Sequence, residues 1–293
     1  MKDYILLVAA TLLQTGTFAI SKLYQKDRGS SFIDGLKFTV IGSIFTGLIF
    51  FVLMDEFKLE ITSFSLLMAI CLTILTTAYT LLGFKIMEGG QLTLYTFFLM
   101  TGGMFVPYVW GLLFLGEPFS ILRTIGLVLI IISIFITEAS GGKTNKKQLF
   151  LCCLVFLLNG FVSVVSKEHQ INPNAVSSTE FVFLSHALKV LLFTPVLLLT
   201  NNRGNDSPKK INSAKLKTKV VMLAGISAVI GGVSYLLQLV GAKNLPASVL
   251  YPIFTGGTII FTALVGWMFF GEKPDKRHIM GIAICFVGTL LFL

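Results

Sequence analysis

Charge is what this chain has least of. Only 13% of its 293 residues are Asp, Glu, Lys or Arg, about half the share of an ordinary soluble domain. Carboxylates are the scarcer sign, 14 against 23 Lys and Arg. A soluble fold of this length needs a polar coat, and too little is present to make one. That excludes a soluble enzyme, a nucleic-acid binder and a disordered chain. Cysteine is sparse as well. Cys71, Cys152, Cys153 and Cys285 all lie in apolar runs with no C-x-x-C spacing, so disulfide and zinc readings fall away and no metal site is expected. The signatures HExxH, GxSxG and GxxxxGK[ST] are missing. The chain therefore reads as a non-enzyme that needs no cofactor and does not itself hydrolyse ATP.

What is present is apolar length. Hydrophobic residues make up 55% of the chain, and the mean hydropathy is +0.86. A bilayer core of ~30 Å takes about 20 helical residues. Ten runs of that kind are predicted, at 4–23, 32–53, 61–84, 91–115, 120–138, 148–167, 177–200, 219–241, 246–270 and 277–293. The expected fold class is an all-α membrane protein with ten transmembrane helices. The first run, Tyr4 to Leu23, has only Met1-Lys2-Asp3 ahead of it and no small-residue cleavage site behind it, so it is expected to persist as a mature helix.

Residues 201–219, with Asn-Asn-Arg-Gly-Asn-Asp-Ser-Pro-Lys-Lys inside them, are predicted to be a solvated basic loop. Seventeen of the 23 Lys and Arg fall on the side that takes the linkers after spans 1, 3, 5, 7 and 9. Five, Lys2, Lys58, Arg123, Lys167 and Lys243, are counted at the linkers and terminus of the other side, and Lys189 lies within span 7. The positive-inside rule makes the crowded side cytoplasmic and puts both termini outside, in a multi-pass protein of the cytoplasmic membrane. The acidic linker Asp55-Glu56-Phe57-Lys58-Leu59-Glu60 suits the external face.

The two halves repeat each other. Gly111, Phe114, Gly116, Glu117 and Gly126 recur 155 residues later as Gly266, Phe269, Gly271, Glu272 and Gly281, while Ser21-Lys22-x-x-Gln25 recurs 145 residues later as Ser166-Lys167-x-x-Gln170. One insertion in the loop after span 7 accounts for both offsets. Residues 1–140 and 148–293 are thus predicted to be two five-helix repeats. Five is odd, so the second copy enters the membrane from the opposite side, an arrangement typical of secondary transporters, with a binding site near the midplane.

These residues carry a resemblance. Ten spans as five plus five, with Phe-Leu-Gly-Glu-Pro at 114–118, Phe-Phe-Gly-Glu-Lys-Pro at 269–274 and Asn-Leu-Pro-Ala-Ser at 244–248, resemble the EamA-like transporters of the drug/metabolite transporter superfamily. The resemblance covers nearly the whole chain. It implies movement of small metabolites through a central cavity lined mainly by spans 1, 3, 4, 6, 8 and 9. The family usually has cytoplasmic termini, whereas the charge bias here places them outside. An architecture of inverted copies survives that flip. The opening Tyr4-Ile5, Leu7, Ala10 and Leu13-Gln14 also resembles the first helix of small multidrug resistance transporters. In that family a glutamate stands where this chain has Gln14, so the resemblance argues against proton-coupled efflux of lipophilic cations.

The candidate site residues follow from repeat position and polarity. Gln14 and Asn159 are repeat equivalents near the centres of spans 1 and 6, and Ser163 shares a helical face with Asn159. An amide in the bilayer centre needs a partner, either a neighbouring helix or a substrate. Tyr79, Tyr95, Tyr235 and Tyr251, with Gln238, fall on spans 3, 4, 8 and 9 and offer hydroxyls and stacking faces for binding, or else packing. His186 and Lys189 in span 7 are candidates for charge recognition or coupling, against a purely structural Lys. Gly102, Gly103, Gly256 and Gly257 permit close helix packing, and Pro107 and Pro252 permit bending in the same helices. Glu117 and Glu272 are expected to cap helices or pair with loop cations rather than bind substrate.

The expected function is secondary active transport of a small polar metabolite (amino acid, nucleoside, amine or sugar-like) by alternating access. Proton or sodium coupling and a monomeric or dimeric state are all compatible with the chain. Two alternatives remain: a non-transporting membrane scaffold or partner subunit, and a flippase for a lipid-linked sugar, which would open laterally to lipid. The partners expected are a small-molecule substrate and the bilayer, with no nucleic acid.

Overall fold

The computed structural model describes residues 2–28, 32–54, 59–88, 92–138, 146–202, 214–270 and 276–292. Among them are ten helices and no strand: α1 (Lys2–Arg28), α2 (Phe32–Val52), α3 (Ser63–Glu88), α4 (Leu92–Phe114), α5 (Ile121–Glu138), α6 (Lys146–Ile171), α7 (Ser178–Asn202), α8 (Ala214–Asn244), α9 (Ala247–Phe270) and α10 (Lys276–Leu290). Each predicted span lies within or closely overlaps one of them. Seven helices are long and apolar enough to cross a membrane, while α4, α5 and α10 carry shorter apolar stretches, Phe98–Phe114, Ile121–Ile136 and Ile279–Leu290. The 201–219 loop is shorter than predicted. α7 runs on to Asn202 and α8 starts at Ala214. Lys215, Lys217 and Lys219 are good helix formers, so α8 extends past the apolar run. Residues 203–213 lie outside the described residues.

Local chemistry sets the helix ends. Ser177 and Glu180 form a reciprocal capping box at α7: the Glu180 N–H donates to Ser177 Oγ at 3.3 Å and the Ser177 N–H to Glu180 Oε2 at 2.8 Å. Thr62 Oγ1 accepts from the Ser65 N–H at the start of α3. α4 is followed by Gly116, whose φ of +64° lies in the left-handed region open to glycine.

The helices pack in a defined set of pairs: α1 on α8 and α9, α2 on α7 and α8, α3 on α6 and α7, α4 on α6 and α9, and α5 on α10. α1 and α8 run antiparallel, because Ser234 donates to the Ala10 carbonyl while Ser227, nearer the start of α8, donates to that of Thr17. The α5–α10 crossing is close enough that a Cβ on Gly126 would sit 2.7 Å from the Gly288 carbonyl. One apolar core joins α1, α4, α5, α9 and α10 around Leu7, Met104, Ile130, Leu250 and Cys285. A second joins α2, α3, α7 and α8 around Phe50, Leu72, Phe181 and Leu239. The outer surface stays apolar: Leu113, Leu191 and Phe269 are 69%, 68% and 76% exposed. Water would penalise that surface and acyl chains do not.

Candidate functional site

α6 is the hub of the polar interior. Its inner face carries Asn159, Ser163, Ser166, Lys167 and Gln170, and each makes contact with another residue across or along the bundle. Asn159 Nδ2 donates to the Leu99 carbonyl at 2.8 Å, and Ser163 Oγ to the Gly103 carbonyl at 3.1 Å. The constant separation of 60 residues shows α4 and α6 running parallel. The second bond has a particular cause. Pro107 has no N–H, so the carbonyl four residues earlier, Gly103, loses its helical partner. Ser163 supplies the replacement. The carbonyl of Ser163 in turn accepts from the Tyr251 hydroxyl at 2.5 Å, tying α4, α6 and α9 together at one level.

One turn further along, Ser166 Oγ donates to the Val162 carbonyl at 2.8 Å. Its only proton is thereby used. The Tyr235 hydroxyl, 2.7 Å away, must therefore donate to Ser166. Tyr235 and Tyr251 thus stand beside Ser166 and Ser163, while Tyr79 and Tyr95 pack together against Ile86, Cys152 and Val155. The Tyr95 ring also packs against Gly83 of α3.

Not every predicted residue is bonded. Among the described residues Gln14, Gln238, Tyr79 and Tyr95 make no side-chain hydrogen bond to protein, although all are half-buried. Gln14 sits on α1, whose neighbours Thr17 and Ser21 reach Ser227 of α8. Among the described residues no hydrogen bond joins it to Asn159. His186 and Lys189 lie on α7 against α2, where His186 Cβ would be 4.0 Å from a Cβ on Gly47. No hydrogen bond joins them to the tyrosines.

The predicted packing residues are at crossings. Gly102 abuts the backbone of Phe156, and Gly103 abuts Asn159 Nδ2. Gly256 meets Thr289 of α10, and Gly257 meets Thr11 of α1. Pro107 and Pro252 are buried inside α4 and α9, both of which remain helical through them.

Two residues do more than sequence reasoning assigned to them. Glu117, expected to cap a helix or meet loop cations, reaches across the molecule: its carboxylate accepts from the Ala247 and Ser248 N–H groups, at 2.5 and 2.9 Å, at the start of α9. That is a charge-assisted cap supplied from the other half of the chain. Lys167, counted as a linker cation, is only 6% exposed and donates to the carbonyls of Ala242 and Leu245 at the end of α8. The repeated Ser-Lys-x-x-Gln was the available signal. Glu117 and Lys167 together hold both ends of the α8–α9 turn. Glu272 lies outside the described residues. No group of three His, Cys, Asp or Glu that could hold a metal occurs among the described residues.

Long apolar helices around a stripe of intramembrane polar groups define a multi-pass membrane protein of the transporter class. The EamA-like transporter family matches residues 146–293, half the chain, and the chain belongs to that family. It is 32% identical over 104 residues to proteins of Yersinia pestis (strain Pestoides F) and Yersinia pseudotuberculosis (serotype IB, strain PB1/+), each named as a probable 4-amino-4-deoxy-L-arabinose-phosphoundecaprenol flippase subunit ArnE. That match takes 36% of this chain and 90% of the relative. A protein of the same name from Pectobacterium atrosepticum is 33% identical over 66 residues, 22% of this chain and 58% of that relative. One crystal structure superimposes with a TM-score of 0.75 at 13% identity, covering 99% of this chain and 98% of the other. It establishes the fold alone.

Proposed function

We propose that this protein is an alternating-access transporter that carries a lipid-linked sugar between the two leaflets of the cytoplasmic membrane. The observation that carries the reading is the 32% identity over 90% of a protein named as a flippase subunit. It favours an amphiphilic cargo over the free small metabolite expected from the sequence. Because 90% of that relative spans 36% of this chain, one chain here has room for two such units.

Two inverted five-helix repeats, 1–140 and 148–293, are the proposed machinery. Exchanging α1 with α6, α2 with α7, α3 with α8, α4 with α9 and α5 with α10 turns the helix pairs named above into themselves and α9–α10 into α4–α5, whereas α6–α8 has no counterpart of similar extent. α1 runs antiparallel to α8. α6 runs with α8, since Ser166 meets Tyr235 while Lys167 meets Ala242 and Leu245. Both features support opposite orientations for α1 and α6. They also support a functional asymmetry: Asn159 is bonded within the protein, whereas its repeat equivalent Gln14 is free. Rocking one unit against the other would exchange such states.

A second reading, transport of a free polar solute, draws support from the unbonded Gln14, Gln238, Tyr79 and Tyr95. Proteoliposomes distinguish the two. A fluorescent short-chain polyprenyl-phosphate sugar in the inner leaflet is expected to become reachable by an impermeant quencher only in vesicles that contain the protein. The same protected fraction as in empty vesicles, with saturable uptake of free solutes instead, would overturn the flippase reading. Absence of both activities would leave the scaffold reading.

A further inference from the structure

Lys189 is a cation at mid-membrane depth with no bonded partner among the described residues. It shares one face of α7 with Val182, His186 and Phe193, at spacings of four, three and four. Val182 and Phe193 are buried, so this face looks into the bundle. The register against α2 fixes its depth. Phe183 meets Phe51 at a ring separation of 5.6 Å, His186 faces Gly47, and Phe193 clusters with Val40 and Leu36. Lys189 therefore stands opposite the middle of α2. Half of a ~30 Å hydrocarbon core separates that level from either interface, farther than a four-carbon stem can snorkel.

Among the described residues, no carboxylate of α7 or of the helices packed on it stands at this level. Glu180, in the first turn of α7, is held by the Glu60 and Ser177 N–H groups. Asp34 stands at the opposite end of α2, and α8 contains no acidic residue. The acid of α3 is Glu88, its last residue. Two further polar atoms of this region are buried without partners, His186 Nδ1 and Thr46 Oγ1 beside Gly47. An uncompensated ammonium at such a depth is costly, and an anion removes the cost. The same α2–α7 pair also meets lipid: Ile44 and Leu48 are 43% and 62% exposed, and Leu191 of α7 is 68% exposed.

We propose that Lys189, assisted by His186, is the site that holds the phosphate of a polyprenyl-phosphate cargo while its isoprenoid tail stays in the bilayer along α2 and α7. This inference rests on the flippase reading and adds the group that recognises the anionic junction between sugar and lipid. A compact ammonium is a competent phosphate ligand as a point charge.

Binding to the purified full chain in detergent tests it, with farnesyl phosphate, farnesol and inorganic phosphate as probes. Farnesyl phosphate is expected to bind at least tenfold more tightly than either of the others. Lys189→Gln is expected to remove that advantage while leaving farnesol binding unchanged. Lys189→Arg, which keeps the charge, should retain most of it and serves as the folding control. Equal binding of farnesyl phosphate by wild type and Lys189→Gln overturns this site yet leaves the flippase reading intact. Equal binding of farnesyl phosphate and farnesol by the wild type overturns the site as well. If protein-dependent movement of the labelled amphiphile is also lacking, the flippase reading falls with it.

Discussion

Ser163 answers a defect that Pro107 creates. The Gly103 carbonyl has no helical donor because residue 107 is proline, and the Ser163 hydroxyl fills the vacancy. Ser163→Ala is therefore expected to cost about 1–2 kcal/mol, above the ~0.6 kcal/mol average for an intramembrane side-chain bond, since it also strands a buried carbonyl. Pro107→Ala restores an N–H four residues after Gly103. In that background Ser163→Ala should cost little. A double-mutant cycle on unfolding in mixed detergent measures the coupling, and additive costs would refute the pairing. The two central amides divide in the same way. Asn159→Ala loses a bond to Leu99 and is expected to destabilise the fold by about 1 kcal/mol. Gln14→Ala loses no protein bond and is expected to leave the unfolding midpoint unchanged while weakening cargo binding. Normal transport by Gln14→Ala would remove Gln14 from the site. The sequence marked these two as equivalents through the repeat. It could not tell that one is bonded and the other free, because that depends on which neighbouring backbone comes within about 3 Å.

Between elements, the α8–α9 turn depends on two side chains from elsewhere in the chain. Glu117 caps the first N–H groups of α9 and Lys167 the last carbonyls of α8. Glu117→Ala is expected to cost about 1 kcal/mol as the loss of a cap. Lys167→Met, similar in shape, leaves two carbonyls unmet and should cost about 1–3 kcal/mol. Both act on one turn, so the double variant should cost less than the sum. Loosening the turn should also speed thiol labelling of Ser248→Cys, one of the residues Glu117 caps. Unchanged labelling would mean that Glu117 does not hold the turn. The helices themselves were legible as apolar runs of bilayer length, and the capping role of Glu117 was legible from Gly-Glu-Pro. The destination of that cap was not, and Lys167 read as a linker cation. A lysine at a helix end reads the same in sequence whether it meets water or carbonyls, and only the tertiary packing of α6 against α8 separates the two cases.

Across the whole molecule, helix pairing and charge lead to one expectation about sidedness. The proposed exchange of halves swaps the two membrane faces, so the same helix packing serves either orientation. Packing therefore contributes nothing to the choice. What remains is the distribution of Lys and Arg, seventeen to five in favour of the side that carries the linker between α7 and α8. Each misplaced cation works against insertion. On that ground the linker is proposed to be cytoplasmic and both termini external. Asn205→Cys tests this in intact cells with a membrane-impermeant thiol reagent. Cys71, Cys152, Cys153 and Cys285 all lie within helices, and the parent protein without Asn205→Cys sets their background labelling. The expected result is no labelling of intact cells and full labelling of inside-out vesicles. The reverse would place the termini inside, as the resemblance implies for the family, and would mean that the charge asymmetry is outweighed during insertion.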